Sequence, residues 1–303
     1  FKMANGNCDN LLLGVYLSCK SKTFFAPAMD LDMYKHQSTK ESITKLISFG
    51  NILIPPANGE LASGLSGEGR LPEANEIIDF IEKHYTKNLP LFEKKVLITA
   101  GPTIEELDPV RYISNHSSGK MGYSLAEVAL KLGADVKLIS GPTSQSVSSK
   151  NIKIVNIKSA KEMHNAIIND YTDSDIVIMA AAVSDYKPVS FSGKKIKKDN
   201  NELNIKLKKT TDILFELGKT KKKQILVGFA LENNEELSNA KNKLEKKNLD
   251  LIVLNSLNDK GAGFGYDTNK ITVVDCLGNV TPYKLKKKDE VALDIFKHII
   301  ELM

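Results

Sequence analysis

Residues 95–100 read Lys-Val-Leu-Ile-Thr-Ala, and residues 175–181 read Asp-Ile-Val-Ile-Met-Ala-Ala. Each is a continuous apolar run of strand length with no alternating polar face, the pattern of a strand covered on both sides. Residues 135–140 (DVKLIS), 225–229 (ILVGF) and 250–254 (DLIVL) repeat it, and a shorter run stands at 153–156. Between the runs lie stretches with helical spacing at 121–132, at 160–170 and, rich in lysine, at about 235–247. Buried strands alternating with amphipathic helices predict an α/β domain with a mostly parallel sheet and helices on both faces. Ligands of such sheets bind beyond the carboxyl ends of the strands, so the loops after residues 100, 140, 179 and 229 are where function is sought.

Before this domain the pattern is weaker. Residues 9–16 (DNLLLGVY) already read as the body of a helix with no upstream element to pack it, which leads to the expectation that residues precede Phe1. Short strands are expected at 22–27 and 51–55, a helix at 39–49, a glycine-rich stretch at 59–70 and a helix running to about 84. Residues 86–93 (TKNLPLFE) read as a linker, which suggests two domains, 1–88 and 94–303. The net charge of +5, from 42 basic and 37 acidic residues spread along the chain, suits an anionic small molecule as well as nucleic acid and decides nothing alone. Cys8, Cys19 and Cys276 lack the spacing of a zinc site and cannot all pair, which points to a reducing cytoplasm. No apolar run approaches the roughly 18 residues of a membrane span, so no membrane association is expected.

The loop after the first strand, residues 101–120, is long and dense in hydrogen-bonding side chains. It lacks the spacing of a Walker loop, and the dinucleotide pattern GxGxxG is absent. Its end, Ser117-Ser118-Gly119-Lys120, opens a helix, a place where main-chain N–H groups and the helix dipole favour an anion and where a plain capped helix start is the alternative. After residue 180, Ala181-Ala182-Val183-Ser184-Asp185-Tyr186 supplies small residues that let a ligand approach the backbone. Asp185 there is a candidate for a ribose hydroxyl or a metal, and equally a turn former. Three lysine groups follow: 194–198 (KKIKK), the helix with Lys241, Lys243, Lys246 and Lys247, and the tail run Lys286-Lys287-Lys288. The first two are either phosphate ligands or solvated faces; the tail run, like 221–223, reads as solvated.

Taken in order, KVLITAGPT, DPVRYISNHSSGKMG, LISGPT, AAAVSDY, KIKK, VGFALE and KLEKKNLDLIVLN resemble the ligase half of the bacterial bifunctional phosphopantothenoylcysteine decarboxylase/phosphopantothenate–cysteine ligases, from about residue 94 to 275. The resemblance implies a Rossmann-like domain that activates phosphopantothenate with CTP as an acyl-cytidylate and then joins it to cysteine. It implies CTP contacts at Met179, Ala180, Ala181, Asp185, Lys195, Thr211, Asp212, Ile213, Leu214, Phe229, Lys243 and Lys247, with Lys195 also catalytic. Asn115 is implied in the second step, Asn115 and Ala182 in substrate binding, and Asp185 in holding Mg2+. A homodimer is also implied, with no nucleic-acid partner.

The N-terminal segment is similar, through ANGNCDNLL, APAMDLDMY and GELASGLSGEGR, to the carboxyl-terminal part of the flavodoxin-like, FMN-dependent decarboxylase half. Two departures stand out. Asp30 replaces the Asn that binds substrate, and Ser63 replaces the Cys that donates a proton, although a hydroxyl is a far weaker acid than a thiol. The resemblance also implies flavin-cradling strands and a catalytic histidine that would lie before Phe1, so FMN and decarboxylation are expected only of a longer chain. Two other classes fit the same sheet pattern, a nucleotide-dependent dehydrogenase and a non-catalytic assembly module, and CTP dependence separates the ligase from both.

Overall fold

A computed structural model describes residues 1–197, 203–256, 258–259, 261–263 and 265–303. The chain divides into two compact units, Phe1–Lys87 and Asn88–Met303. Among the described residues no helix is long and apolar enough to cross a membrane.

The first unit runs α1 (Lys2–Asn5), α2 (Leu11–Ser18), β1 (Phe24–Phe25), α3 (Leu31–Lys35), α4 (Gln37–Ser48), β2 (Ile52–Leu53), β3 (Ala57–Glu60), β4 (Ser66–Arg70) and α5 (Ala74–Thr86). β1 and β2 pair in parallel, and each is shorter than the run expected from sequence. Pro27 closes one and Pro55-Pro56 the other, since proline cannot donate to a ladder. The glycine-rich stretch is an antiparallel hairpin, β3–β4. Its base lies against residues 27–30: the Met29 N–H donates to the Gly69 carbonyl at 3.0 Å. A Cβ on Gly69, whose φ is +147°, would stand 2.3 Å from the Met29 carbonyl oxygen, so only glycine allows this approach.

The second unit runs β5 (Lys95–Ala100), β6 (Ile104–Glu106), β7 (Tyr112–Ser114), α6 (Lys120–Lys131), β8 (Asp135–Ser140), β9 (Lys153–Asn156), α7 (Ala160–Tyr171), β10 (Ile176–Met179), β11 (Tyr186–Pro188), β12 (Leu207–Lys209), α8 (Ile213–Thr220) and β13 (Ile225–Glu232). It continues with α9 (Glu236–Lys246), β14 (Leu251–Ser256), β15 (Thr268–Asn269), β16 (Ile271–Asp275), β17 (Val280–Pro282), β18 (Lys286–Lys287) and α10 (Lys288–Glu301). Eight of the described strands form one sheet in the order β9-β8-β5-β10-β13-β14-β16-β17. The first six pair in parallel and the last two antiparallel. Counted along the chain, the parallel strands stand in the order 3-2-1-4-5-6, a Rossmann-like arrangement with its switch point between β5 and β10.

Alternate residues of β5 serve two cores. Val96 and Ile98 pack with α6 and α10, while Leu97 packs with α7, α8 and α9; all three are fully buried. Burial on both faces is why these strands read as unbroken apolar runs, each large side chain contributing roughly 1.5–3 kcal/mol. Gly122 brings α6 onto β5: a Cβ there would meet that of Ala100 at 2.5 Å. The loop expected at 101–120 contains an antiparallel hairpin, β6–β7, which packs beside β11.

Candidate functional site

The switch point places two loops side by side. After β5 the chain continues through Gly101–Thr103, and after β10 through Ala180–Asp185, and a parallel bridge between Pro102 and Ala182 joins them. Ala182 N–H donates to the Gly101 carbonyl at 2.9 Å, Ala181 N–H to the Thr99 hydroxyl at 3.1 Å, and Ser184 N–H to the Thr103 hydroxyl at 3.0 Å. The Thr210 hydroxyl then donates to the Ser184 carbonyl at 2.6 Å, tying the end of β12 to the same loop. The floor of the site is thus one hydrogen-bonded piece.

Two cavities open above it. The first, of about 500 Å³, is walled by Met179, Ala181 and Asp185 from β10 and its loop, by Thr211–Leu214 at the start of α8, by Phe229 of β13, and by Lys243 and Lys247. Lys243 and Lys247 stand one helical turn apart and reach the same cavity. The Lys247 ammonium pairs with Asp212 at 2.8 Å, and the same carboxylate oxygen caps α8 by accepting from the Phe215 N–H at 3.1 Å. Lys243 donates instead to the Phe229 carbonyl at 2.7 Å. Burial is the main influence on Lys243 and pushes its ammonium below the usual lysine value; Lys247 adds to this, while Glu232, Asp212 and Asp185 oppose it.

The second cavity, of about 260 Å³, is walled by residues 117–122 at the opening of α6, by Ala180–Val183, and by Asn255, Asn269 and Lys288. It shares Ala181, Val183, Asp185, Phe229 and Lys243 with the first. Besides the shared Lys243, its cations are Lys120, paired with Asp267, and Lys288, which donates to the Tyr266 carbonyl at 2.6 Å. The tail lysines are therefore not all solvated, contrary to the sequence reading. Lys288 is 7% exposed, and Lys286 pairs with the buried Asp294 at 2.5 Å. Lys221 likewise pairs with Asp250 at 2.9 Å. Burial lowers the Lys288 ammonium, with Lys120 adding to the effect and Asp267 opposing it. The helical period contains a signal for Lys288: positions 288, 291, 295 and 299 form the stripe by which α10 packs on the core. Asn269 and Asn255, joined at 3.1 Å, carried no such signal.

The expected contacts divide as follows. Met179, Ala181, Asp185, Thr211, Asp212, Ile213, Leu214, Phe229, Lys243 and Lys247 come together in the first cavity, whereas Ala180 and Ala182 line the second. Asn115 is exposed and lines neither; its side-chain amide donates to the carbonyls of Ala182 at 3.0 Å and Val183 at 3.2 Å, so it holds the loop the cavities share. Lys195 is exposed and lines neither cavity, and Lys198 lies outside the described residues. The segment carrying Lys195 is anchored by a buried clamp. Asp108 accepts from Arg111 at 2.6 Å and from the Ile196 N–H at 3.1 Å, while Arg111 donates to the Ile196 carbonyl at 2.7 Å. Burial alone would raise the Asp108 carboxyl, but the Arg111 guanidinium and the N–H groups of Val110, Ile196 and Arg111 hold it well below the usual carboxylate range.

Among the described residues no group of three or more His, Cys, Asp and Glu is placed to hold a metal. Asp185 lies in the shared wall, and its main-chain carbonyl accepts from the Thr210 N–H at 2.9 Å, which leaves the carboxylate as the group offered to a ligand. A hydrated Mg2+ carried by phosphates asks for only one or two protein carboxylates, so this single carboxylate fits one. In the first unit, Ser63 is exposed in the turn of the β3–β4 hairpin and Asp30 is half-buried ahead of α3.

Residues 91–303 match the family described as DNA/pantothenate metabolism flavoprotein C-terminal domain, and residues 1–86 match the flavoprotein family. The chain is 50% identical, over its whole length and 86% of the relative, to a cysteine/cysteine sulfinic acid decarboxylase from an unknown prokaryotic organism. It is 44% identical, over 99% of its length and 75% of the relative, to the coenzyme A biosynthesis bifunctional protein CoaBC of Bacillus subtilis. The crystal structure of a CoaBC C-terminal domain superposes with a TM-score of 0.61 at 41% identity, covering 71% of this chain and 98% of that one.

Proposed function

Because this chain belongs to the family of bifunctional coenzyme A biosynthesis proteins, with a flavoprotein segment ahead of a pantothenate-metabolism domain, we propose that its second unit uses CTP to join phosphopantothenate to cysteine. The observation that carries this reading is the pair of cavities with a common wall. One offers two lysines and a helix start for a triphosphate; the other offers Lys120, Lys288 and the N-terminus of α6 for a phosphorylated acid. A condensation of two anions needs such a layout, with the reacting ends meeting at the shared wall.

The chemistry then asks little covalent work of the protein. The substrate carboxylate forms a bond to the α-phosphorus of CTP while the bond to the β-phosphate breaks, and pyrophosphate leaves with the electron pair. The cysteine amine next attacks the acyl carbon, CMP departs, and the ammonium proton is lost to solvent. Positioning and charge neutralisation supply the acceleration. Main-chain groups of Met179–Ala181 and Thr211–Leu214, with Phe229, seat the nucleoside; Lys247 holds phosphates and Lys243 faces them from the shared wall; Asn115 orients the activated acid through the loop it grips. Asp185 would hold Mg2+, which supplies charge neutralisation on the triphosphate when bound. Lys195, exposed on the segment that the Asp108–Arg111 clamp anchors at Ile196, would add a cation from outside the cavity walls.

Decarboxylation is assigned to the first unit, where the Met29–Gly69 clasp brings Asp30 beneath the hairpin that carries Ser63. The match of residues 1–86 to the flavoprotein family supports FMN as the group this unit would use, and no step is derived through it. A homodimer is supported by neighbouring hairpins β6–β7 and β11–β12, which expose Val110, Tyr112, Tyr186 and Leu207.

The test is pyrophosphate release from CTP and magnesium by the full chain. Release that requires phosphopantothenate, followed by CMP and the amide once cysteine is added, is the expected result. CTP-independent product, or none while CTP binds, would overturn the reading.

A further inference from the structure

The two lysines of α9 are not equivalent. Lys247 lines only the first cavity and is paired with Asp212 at 2.8 Å. Lys243 lines both cavities, as does Phe229, whose carbonyl accepts its hydrogen bond at 2.7 Å. No described carboxylate stands within ion-pair distance of Lys243, and an ammonium with three N–H donors keeps two after serving one carbonyl. The one cation in both sets of walls is therefore half-buried and not neutralised by an ion pair.

We propose that Lys243 is a catalytic residue of the first bond-forming step, bridging the incoming carboxylate and the α-phosphate, whereas Lys247 serves only to hold the nucleotide. The assignment rests on the two-substrate reading above. In that step a carboxylate oxygen bonds to the α-phosphorus and the bond to the bridging oxygen of pyrophosphate breaks, so no proton moves. What opposes it is repulsion between two anions and the charge that develops on the phosphoryl oxygens. A cation fixed in the partition offsets both, and most strongly where water is excluded. Lys247, one turn further along α9 and tied to the cap of α8, lies off that line.

Three variants of the full chain, Lys243→Gln, Lys243→Arg and Lys247→Gln, separate the roles. CTP affinity is read by titration and turnover by phosphopantothenate-dependent pyrophosphate release at saturating CTP. Lys243→Gln is expected to lower kcat by about 10²–10³-fold while CTP Kd stays within about threefold, the retained binding showing that the variant is folded. Lys243→Arg keeps the charge and should recover at least tenfold of the loss, about 1.4 kcal/mol. Lys247→Gln should raise CTP Kd by about tenfold with kcat kept. A Lys243→Gln chain that changes CTP Kd with kcat intact, or a Lys247→Gln chain whose kcat falls equally, would overturn the assignment alone. No release from the unsubstituted chain would overturn the two-substrate reading, and this assignment with it.

Discussion

The first cavity takes two of its three lysines, Lys243 and Lys247, from one helix, α9, where they are held by groups of the cavity itself, the Phe229 carbonyl and Asp212; the third, Lys209, ends β12. The second takes Lys120 from the opening of α6 and Lys288 from the opening of α10, elements separated by most of the domain in sequence. Both share the loop after β10. On the proposed reading, a nucleotide site is built mostly from strand ends of a doubly wound sheet and the helices beside them, whereas a site for its co-substrate draws on whatever the remaining chain brings to the same edge.

The largest break in this comparison is expected at the shared loop. Asn115→Asp replaces two donated hydrogen bonds, to Ala182 and Val183, with a carboxylate facing two carbonyls. At about 1–3 kcal/mol for each lost donor, amide formation should fall by about 10²–10⁴-fold, with acyl-cytidylate accumulating and CTP still bound. Quantifying the intermediate by rapid quench decides it; loss of CTP affinity instead would mean that Asn115 supports the first cavity. A smaller effect sharpens the contrast. Lys288→Met should raise KM for phosphopantothenate by about 10–100-fold and leave CTP Kd unchanged, and equal effects on both ligands would erase the distinction between cavities.

The smallest effect concerns the clamp behind Lys195. The Asp108 carboxyl is depressed in the folded chain, so its stabilisation is complete above the unfolded value near 3.9 and is lost as pH falls below it toward the folded value. The Tm of Asp108→Asn should therefore lie below that of the unsubstituted chain at neutral pH, and the gap should narrow in acid. A gap independent of pH would show that the clamp acts through packing alone.

How much of this the residues announce depends on where burial comes from. β5, β8 and β9 occupy the spans their apolar runs predict, because strands covered on both faces must be apolar throughout. The first cavity was legible in part for the same reason, since Ala181–Asp185 stand just past the apolar run of β10, whereas Thr211–Leu214, Lys243 and Lys247 were assigned to it only through the family resemblance. The β6–β7 hairpin was not, since Ile-Glu-Glu and Tyr-Ile-Ser are short, half-exposed segments that bury no common face. β16 was passed over although Ile271–Val274 is rich in β-branched residues. Lys288 and Asn269 became part of the site only through long-range packing of α10 and β15, which no local spacing records except the stripe at 288, 291, 295 and 299. Lys195 shows the converse: it belongs to a conspicuous lysine run, yet it is exposed and lines neither cavity.

The partition between the cavities has a thermodynamic meaning beyond its chemistry. Phe229 and Lys243 belong to both walls and are joined to each other, so an occupant that draws the ammonium away from the Phe229 carbonyl alters the neighbouring chamber before anything enters it. Whatever factor the nucleotide imposes on the affinity of the acid, the acid must impose on the nucleotide. On the proposed two-substrate reading, the Lys243–Phe229 hydrogen bond is one route by which the two ligands would be coupled, and either ligand would report on it.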